Sequence, residues 1–193
     1  SFQENDSTLW FGNRGYGAYR MNVDNGELTP YRFDSIVNSQ TANDIFAIYK
    51  NEKGYWLGTS SGLLYFNQED SHYHDKTDLF LNNTVHGILE DQQHNLWLST
   101  NQGLVRFNPH TSTGQTYNRE NGLAVTEFSD GAFYKDQRTG TLFFGGTNGF
   151  VTVKSNAYIM EDYMPRIHLK GLSIFGKDYN LSLIHISEPT RRR

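Results

Sequence analysis

Short apolar runs separated by turn residues cover most of the chain. The runs at 45–49, 85–89 and 128–134 are each followed by a segment rich in Gly, Asn or Asp, which is the pattern of β-strands joined by tight turns. No stretch shows a sustained helical period of apolar residues with helix caps. The pattern therefore predicts an all-β fold with very little helix.

An aromatic residue followed two positions later by a small residue recurs four times in the sequence. After each such pair, a glycine opens a further apolar stretch. The aromatic residues are Trp10, Trp56, Trp97 and Phe143, the small residues are Gly12, Gly58, Ser99 and Gly145, and the later glycines are Gly62, Gly103 and Gly149, with Gly17 one residue out of phase in the first copy. These elements return in the same order at a regular interval, which indicates an internal repeat.

Each copy of the repeat predicts four strands. An inner strand precedes the aromatic residue, two strands carry the aromatic core and the later glycine, and a weaker fourth strand follows at 28–33, 71–75 and 114–118. Four antiparallel strands in roughly 40–45 residues form one blade of a β-propeller. A β-sandwich built from unrelated strands is the alternative, but it does not explain the fixed order of the elements.

Stacking of blades explains the residue types in the repeat. A single blade cannot bury both of its faces, so the aromatic residue is predicted to fill the space between neighbouring blades. The small residue permits a close approach of the next blade or a special backbone conformation. Nothing before Leu9 suggests an inner strand, so we expect the first blade to begin without one and the chain to be a fragment of a larger protein.

Composition narrows the possible partners and cofactors. The net charge is −4 and no basic stripe is visible, so this segment is not expected to contact nucleic acid. The chain has no cysteine, which excludes disulfides and cysteine-based zinc sites. We predict no cofactor and no metal.

The repeat resembles the two-component regulator propeller repeat, whose pattern is Leu-Trp-x-Gly-Thr, two residues, and Gly-Leu. Residues 55–67 and 96–109 match this pattern most closely, whereas Ser99 and Phe143 depart from it. The fourth copy, with Phe143 for Trp, looks like the variant that closes such propellers. Residues 164–177 resemble the opening of the small β-sandwich that follows these propellers.

The predicted fold class is thus all-β: a β-propeller fragment of about four four-stranded antiparallel blades, followed by the first strands of a β-sandwich. The propeller repeats are placed at 1–160, with blades at about 8–35, 43–76, 83–119 and 126–157. The sandwich is predicted to begin within 161–181. Residues 182–193 abandon the blade pattern and are predicted to be a non-native tail, the alternative being a native strand with a basic linker.

The resemblance implies a function for the parent protein. Such proteins are periplasmic sensor regions of hybrid two-component histidine kinases from gut Bacteroidetes, anchored in the inner membrane. Their ectodomains detect oligosaccharides, and a dimer of ectodomains passes the signal through the sandwich to the kinase. The resemblance therefore implies an oligosaccharide ligand, a homodimer and no catalysis in this fragment.

Candidate ligand-binding residues lie where the chain enters an inner strand, because these positions reach the rim of the central channel. Two further candidates lie in an irregular loop of the first copy. The set is Arg14, Tyr16, Asn43, Asp44, Asn83, Thr84, Thr126 and Glu127. Planar polar groups and aromatic rings suit sugar binding, but the same residue types also cap turns, and the sequence leaves both interpretations open.

An enzyme, either a propeller lyase or a carbohydrate-processing enzyme, is the main alternative function. Propeller lyases use histidines on one face, and His72, His74 and His86 keep that hypothesis open, although no pair has the spacing of a metal site. Residues 91–95 are rich in oxygen ligands but lack the spaced acids of a calcium loop, so a hairpin turn explains them. A protein-interaction scaffold is a third possibility, and it predicts an exposed apolar patch without a small-ligand pocket.

Overall fold

A computed structural model describes residues 1–34, 39–52, 54–67, 72–75, 83–125, 127–154, 172–174 and 177–179. The chain divides into two compact units, Ser1–Ala157 and Tyr158–Arg193. In the second unit, β16 (Leu172–Ile174) and β17 (Lys177–Tyr179) form an antiparallel hairpin. The sandwich domain stays a prediction, and the tail predicted at 182–193 lies outside the described residues. Within the described part of the chain, no helix is long and apolar enough to cross a membrane.

The first unit consists of four antiparallel sheets, which we call blades 1 to 4. Each blade is built from consecutive strands that lie side by side in chain order. Blade 1 contains β1 (Phe2–Asn5), β2 (Thr8–Asn13), β3 (Gly17–Asn22) and β4 (Leu28–Tyr31). Blade 2 contains β5 (Ile45–Asn51), β6 (Gly54–Thr59), β7 (Gly62–Asn67) and β8 (His72–Asp75). Blade 3 contains β9 (Val85–Glu90), β10 (Leu96–Thr100), β11 (Gly103–Asn108) and β12 (Thr113–Tyr117), and blade 4 contains β13 (Phe128–Lys135), β14 (Leu142–Gly146) and β15 (Gly149–Val153).

Helix in the described residues is confined to two single turns between blades. These are α1 (Ser39–Ala42) and a 3-10 turn at Arg119–Asn121. The prediction of an all-β fold made of propeller blades is confirmed.

The first blade has an inner strand, so the expectation that it lacks one is wrong. β1 pairs antiparallel with β2, placing Phe2 opposite Trp10. The strand escaped notice because its sequence, Phe-Gln-Glu-Asn, has one apolar residue where the other inner strands have several. Side-chain hydrogen bonds to Glu4 take the place of apolar packing there.

The four aromatic residues of the repeat occupy equivalent places. Each lies on the second strand of its blade, opposite corresponding residues on the third: Trp10 faces Arg20, Trp56 faces Tyr65, Trp97 faces Arg106 and Phe143 faces Thr152. The three tryptophans are at most 3% exposed. Phe143 is only partly buried, between Tyr134 and Phe150, which are 64% and 66% exposed. The face that carries Phe143 is therefore the one that the other blades cover with their successor.

Two apolar clusters join successive blades. Trp10 packs against Tyr55 of blade 2, with ring centroids 4.5 Å apart, in a cluster with Ile48 and Leu57. Trp56 meets Phe107 of blade 3 edge-on at 5.7 Å, within the second cluster. Trp10 and Trp56 thus lie between successive blades, as predicted. Burial of such large side chains is a major stabilising contribution.

The small residue of the repeat makes room for the next inner strand. A Cβ placed on Gly58 would lie 2.7 Å from the backbone oxygen of Val85 in blade 3. Blade 3 carries Ser99 at this position, and its cross-strand neighbour is Gly87. A Cβ on Gly87 would lie 2.5 Å from the ring of Phe133 in blade 4. The space has therefore moved to the adjacent strand, which explains why the serine is tolerated.

Glu4 is the polar centre between blades 1 and 2. Its Oε2 accepts hydrogen bonds from Trp10 Nε1 at 2.7 Å and from the Tyr55 hydroxyl at 2.9 Å, and its Oε1 pairs with Lys50 Nζ. Burial by itself raises the pKa of this carboxyl, but the hydrogen bonds from Lys50, Trp10 and Tyr55 outweigh burial and hold the pKa below its ordinary value. The ionised form of Glu4 therefore stabilises the fold.

Acid is expected to remove this stabilisation. Because the folded pKa lies below the ordinary value of 4.5, the contribution of Glu4 is fully present above that pH and is lost as pH falls through the folded pKa. Glu4→Gln should lower the free energy of unfolding by about 1 kcal/mol near neutral pH, and the difference from wild type should shrink in acid. Urea denaturation at a series of pH values measures it. A difference that stays constant down to about pH 3 would contradict this role of Glu4.

Candidate functional site

The inner strands of blades 2, 3 and 4 come together around one axis. β9 contacts both β5 and β13, and β13 also contacts β5. The strands of each blade are antiparallel, so the first residues of the inner strands and the turns between second and third strands lie at the same end. We call this end the rim.

A cluster of side chains lies at this rim, and every blade contributes at least one residue to it. Arg14 Nη2 donates to Asp130 Oδ2 at 3.0 Å. His86 Nδ1 lies 2.5 Å from Asp130 Oδ1, and His86 Nε2 lies 2.7 Å from Asn101 Oδ1. Phe46 completes the rim cluster, with the Arg14 guanidinium 5.3 Å from its ring centroid and the His86 ring at 5.9 Å.

The Arg14–Asp130 ion pair joins blade 1 to blade 4 but contributes little to stability. The two side chains are 74% and 42% exposed, and ion pairs in water at such exposure are worth at most about 1 kcal/mol. His86 is more enclosed, with its side chain 14% exposed. The rim cluster thus contains the enclosed His86 imidazole and a weak Arg14–Asp130 ion pair. Either member of this pair could contact a ligand instead of its partner at little cost in stability.

Two predicted ligand residues, Arg14 and Tyr16, lie in the turn between β2 and β3. Arg14 belongs to the rim cluster. Tyr16 is 59% exposed, so its ring is accessible at the surface of this turn. The structure therefore brings Arg14 into the rim cluster, and the ligand-binding role of both residues stays a prediction.

Asn43 and Asp44 make hydrogen bonds within the fold. Asn43 is 1% exposed; its Oδ1 accepts from the Phe33 backbone N–H at 3.0 Å and its Nδ2 donates to Asp34 at 2.9 Å. Asp44 accepts from the Ser60 hydroxyl at 3.0 Å. The turn-capping interpretation thus describes what these side chains do in the structure.

Asn83 and Thr84 occupy the same places in blade 3. Asn83 is 4% exposed and donates to Thr100 Oγ1 at 3.0 Å, and Thr84 donates to the backbone oxygen of Ser60 at 3.2 Å. Since Ser60 belongs to blade 2, Thr84 links two blades. Both residues lie at the rim but are occupied in holding it together.

Glu127 is exposed at the entry of β13. Its backbone oxygen accepts from the Thr147 N–H at 3.1 Å, and its carboxylate lies 3.4 Å from the Thr147 hydroxyl. Thr126 lies outside the described residues. Glu127 therefore adds a negative charge to the rim next to β13.

Sequence reasoning did not propose His86, Asn101 or Asp130 as ligand residues. Phe46 and His86 share the second position of their inner strands, and that shared position is the signal that could have identified them. Asp130 was harder to find because β13 has a register irregularity between Phe128 and Phe133, which shifts the positions that reach the channel.

Metal chemistry finds no support in the described part of the chain, where no group of three or more His, Asp or Glu side chains could hold an ion. The side chains of His72 and His74 lie outside the described residues, so the lyase hypothesis is untested there. His86 makes its contacts with Asp130 and Asn101, within the rim cluster.

The family described as two component regulator propeller matches residues 80–102. This stretch contains β9, which carries His86, and β10, which carries Trp97. Residues 80–102 are thus similar to the two-component regulator propeller repeat. The resemblance drawn from the sequence is confirmed.

The chain is similar to one curated protein and to several solved structures. The chain is 28% identical to histidine kinase P4 of Formosa agariphila, over 89% of this chain and 16% of the relative. It is similar to the extracellular domains of two hybrid two-component systems of B. thetaiotaomicron. The first has a TM-score of 0.73 and 24% identity, over 94% of this chain and 26% of that one. The second has a TM-score of 0.62 and 17% identity, over 78% and 20%.

These likenesses differ in what they establish. The two structural similarities show the propeller fold. The chain spans 16% of the length of its curated relative and 26% of the length of the first structural neighbour. The activity of a whole parent protein is therefore a matter for the proposal that follows.

Proposed function

We propose that the chain is an extracytoplasmic sensing segment of a hybrid two-component histidine kinase and that its rim cluster binds an oligosaccharide. The propeller repeat at 80–102 and the similarity to histidine kinase P4 support the sensor role. The structural neighbours are extracellular domains, which supports a periplasmic location for this segment. In this proposal the parent is anchored in the membrane and dimerises, and kinase chemistry belongs to its other parts.

One observation carries the choice of site: side chains from all four blades meet at one exposed ion pair. Arg14 donates, Asp130 accepts, and the exposed ring of Tyr16 lies in the same turn as Arg14. Sugar hydroxyls both donate and accept hydrogen bonds, and the faces of sugar rings pack on aromatic side chains. A ligand that bridges Arg14 and Asp130 would contact blades 1 and 4 together.

A ligand at this position could couple to signalling because it would touch the two blades at the ends of the described propeller. Binding energy that differs between two arrangements of these blades shifts the equilibrium between them. The Arg14–Asp130 pair holds one arrangement only weakly. In the proposal, the ligand replaces this weak pair with stronger contacts and stabilises one arrangement.

The exposed aromatic face of blade 4 does not by itself favour a protein-interaction scaffold. Phe143, Tyr134 and Phe150 form a patch of the kind that the scaffold hypothesis expects. The equivalent faces of the first three blades carry Trp10, Trp56 and Trp97. A packing surface between blades therefore explains the residue types of the patch.

Arg14→Gln and Asp130→Asn are expected to weaken oligosaccharide binding at least tenfold. Each change removes a charge-assisted hydrogen bond, which contributes about 1.5–3 kcal/mol, and tenfold corresponds to about 1.4 kcal/mol. A panel of short neutral, uronic-acid-containing and amino-sugar oligosaccharides is screened by thermal shift, and hits are titrated by calorimetry.

Arg138→Gln is the matched control for these variants. Arg138 is also exposed, but it lies in the turn between β13 and β14, at the opposite end of blade 4. The control should bind like wild type. If a hit binds equally well to wild type, Arg14→Gln and Asp130→Asn, the rim cluster is not the ligand site.

A further inference from the structure

A cavity of about 320 Å³ lies between blades 2 and 3 at the end opposite the rim. It is bounded by the turn after β5, the turn after β9 and the loop after β11. Its lining includes Tyr49, Glu52, Glu90, His94 and His110. This volume is at the lower end of the range for small-molecule sites, so the cavity suits a small ligand.

Glu90 is the chemical centre of this cavity. Its side chain is 15% exposed, and its Oε2 accepts a hydrogen bond from the Tyr49 hydroxyl at 2.8 Å. Burial and the Glu90 carboxylate both raise the pKa of Tyr49, so the phenol stays protonated and donates. The other oxygen, Oε1, lies 3.5 Å from His94 Nδ1, and both residues line the cavity.

No Lys or Arg of the described residues forms an ion pair with the Glu90 carboxylate. Lys135 Nζ is close by, but it donates to the backbone oxygen of Glu90 at 2.8 Å. A partly enclosed carboxylate gains from a cationic partner, since attraction between opposite charges is stronger away from bulk water. The second carboxylate of the lining, Glu52, adds to the negative potential at the cavity mouth.

We propose that this cavity binds a small ligand carrying an ammonium group next to hydroxyls, an amino sugar being the simplest such chemistry. The ammonium donates to Glu90 Oε1, while the imidazoles of His94 and His110 contact the hydroxyls. An anionic ligand is disfavoured because it would face two carboxylates. This site is separate from the rim cluster and does not depend on the function proposed there.

His94 lies in the turn between β9 and β10. Its φ is 61°, a left-handed conformation that Asn or Gly adopts with less strain. Hydrogen bonds of the Asp91 turn fix this backbone, since the His94 N–H donates to the Asp91 backbone oxygen at 3.2 Å and the Asn95 N–H to Asp91 Oδ1 at 2.9 Å. The His94 side chain is 74% exposed.

The test uses three forms of one sugar that differ in charge: glucosamine, glucose and glucuronate. Calorimetry on the 193-residue chain is expected to show glucosamine binding at least tenfold more tightly than the other two. Glu90→Gln keeps an acceptor for Tyr49 but removes the charge, and should lower glucosamine affinity at least tenfold. Asp24→Asn, at an exposed carboxylate in the turn between β3 and β4 of blade 1, should leave it unchanged.

Imidazole resonances of the wild-type chain give a second readout that needs no variant. Glucosamine should shift the signals of His94 and His110 and leave that of His86 in place. The proposal is overturned if glucosamine does not bind, if glucose or glucuronate binds as tightly, if Glu90→Gln binds like wild type, or if the shifts appear at His86 alone. Failure at the rim, by contrast, would change none of these results.

Discussion

Trp56→Ala is expected to lower the free energy of unfolding by about 3–5 kcal/mol. Trp56 is 3% exposed and packs against Tyr65 of its own blade and Phe107 of blade 3. Removing the indole leaves a cavity between two sheets that approach closely at Gly58, so neither sheet can move in to fill it. Urea denaturation followed by far-ultraviolet circular dichroism measures the change.

Two phenylalanine variants separate the volume of the tryptophans from their hydrogen bonds. Trp56 Nε1 is buried and has no hydrogen-bond partner among the described residues, so Trp56→Phe should cost at most about 1.5 kcal/mol. Trp97 Nε1 donates to Asp91 at 2.9 Å, so Trp97→Phe also loses a hydrogen bond to a charged group and should cost more. A loss below about 1 kcal/mol for Trp56→Ala would show that the indole does not fill the space between blades.

Asp91→Ala is expected to destabilise the chain by a similar amount, about 3–5 kcal/mol, because each buried donor that loses its acceptor costs about 1–3 kcal/mol. Asp91 is 3% exposed, and its carboxylate accepts from the backbone N–H groups of Gln93 and Asn95, from Asn95 Nδ2 and from Trp97 Nε1. The alanine variant leaves the buried donors of Asn95 and Trp97 without a partner. Thermal and urea unfolding of the chain measure the loss.

Asp136 provides the matched control for Asp91. It holds the equivalent position in the turn of blade 4, where its carboxylate accepts from the Arg138 N–H and the Thr139 hydroxyl. The hydrogen bond from Thr139 is the main reason that the pKa of Asp136 lies below its ordinary value. These donors are exposed and can bond to water instead, so Asp136→Ala should cost clearly less. Equal losses for the two variants would show that burial of the Asp91 turn is not what makes it important.

The fold could be predicted because residues that are close together in the sequence define the repeat. Trp56, Gly58 and Gly62 set the second and third strands within a few positions, and the same spacing at Trp97 and Gly103 fixes the register of the next blade. The inner strand of blade 1 could not be predicted, since Glu4 is stabilised by Lys50 and Tyr55, residues that are distant in sequence.

The contacts of the rim cluster could not be predicted from the sequence. Arg14 and Asp130 are 116 positions apart, and their contact depends on how four blades are arranged around the axis. The described residues at inner-strand entries lie at the rim, but Asn43 and Asn83 make hydrogen bonds inside it. Spacing along one strand identifies which residues reach the channel, whereas packing of several blades determines which of them are left accessible.

Nuclear magnetic resonance titration of the isotope-labelled chain, with an oligosaccharide selected by the thermal-shift screen, tests the sensor proposal most directly. The Arg14 side-chain Nε–H and the His86 imidazole signals should shift together and yield one dissociation constant, equal to that from calorimetry. Shifts confined to residues away from the rim, with Arg14 and His86 unmoved at saturation, would contradict the proposal.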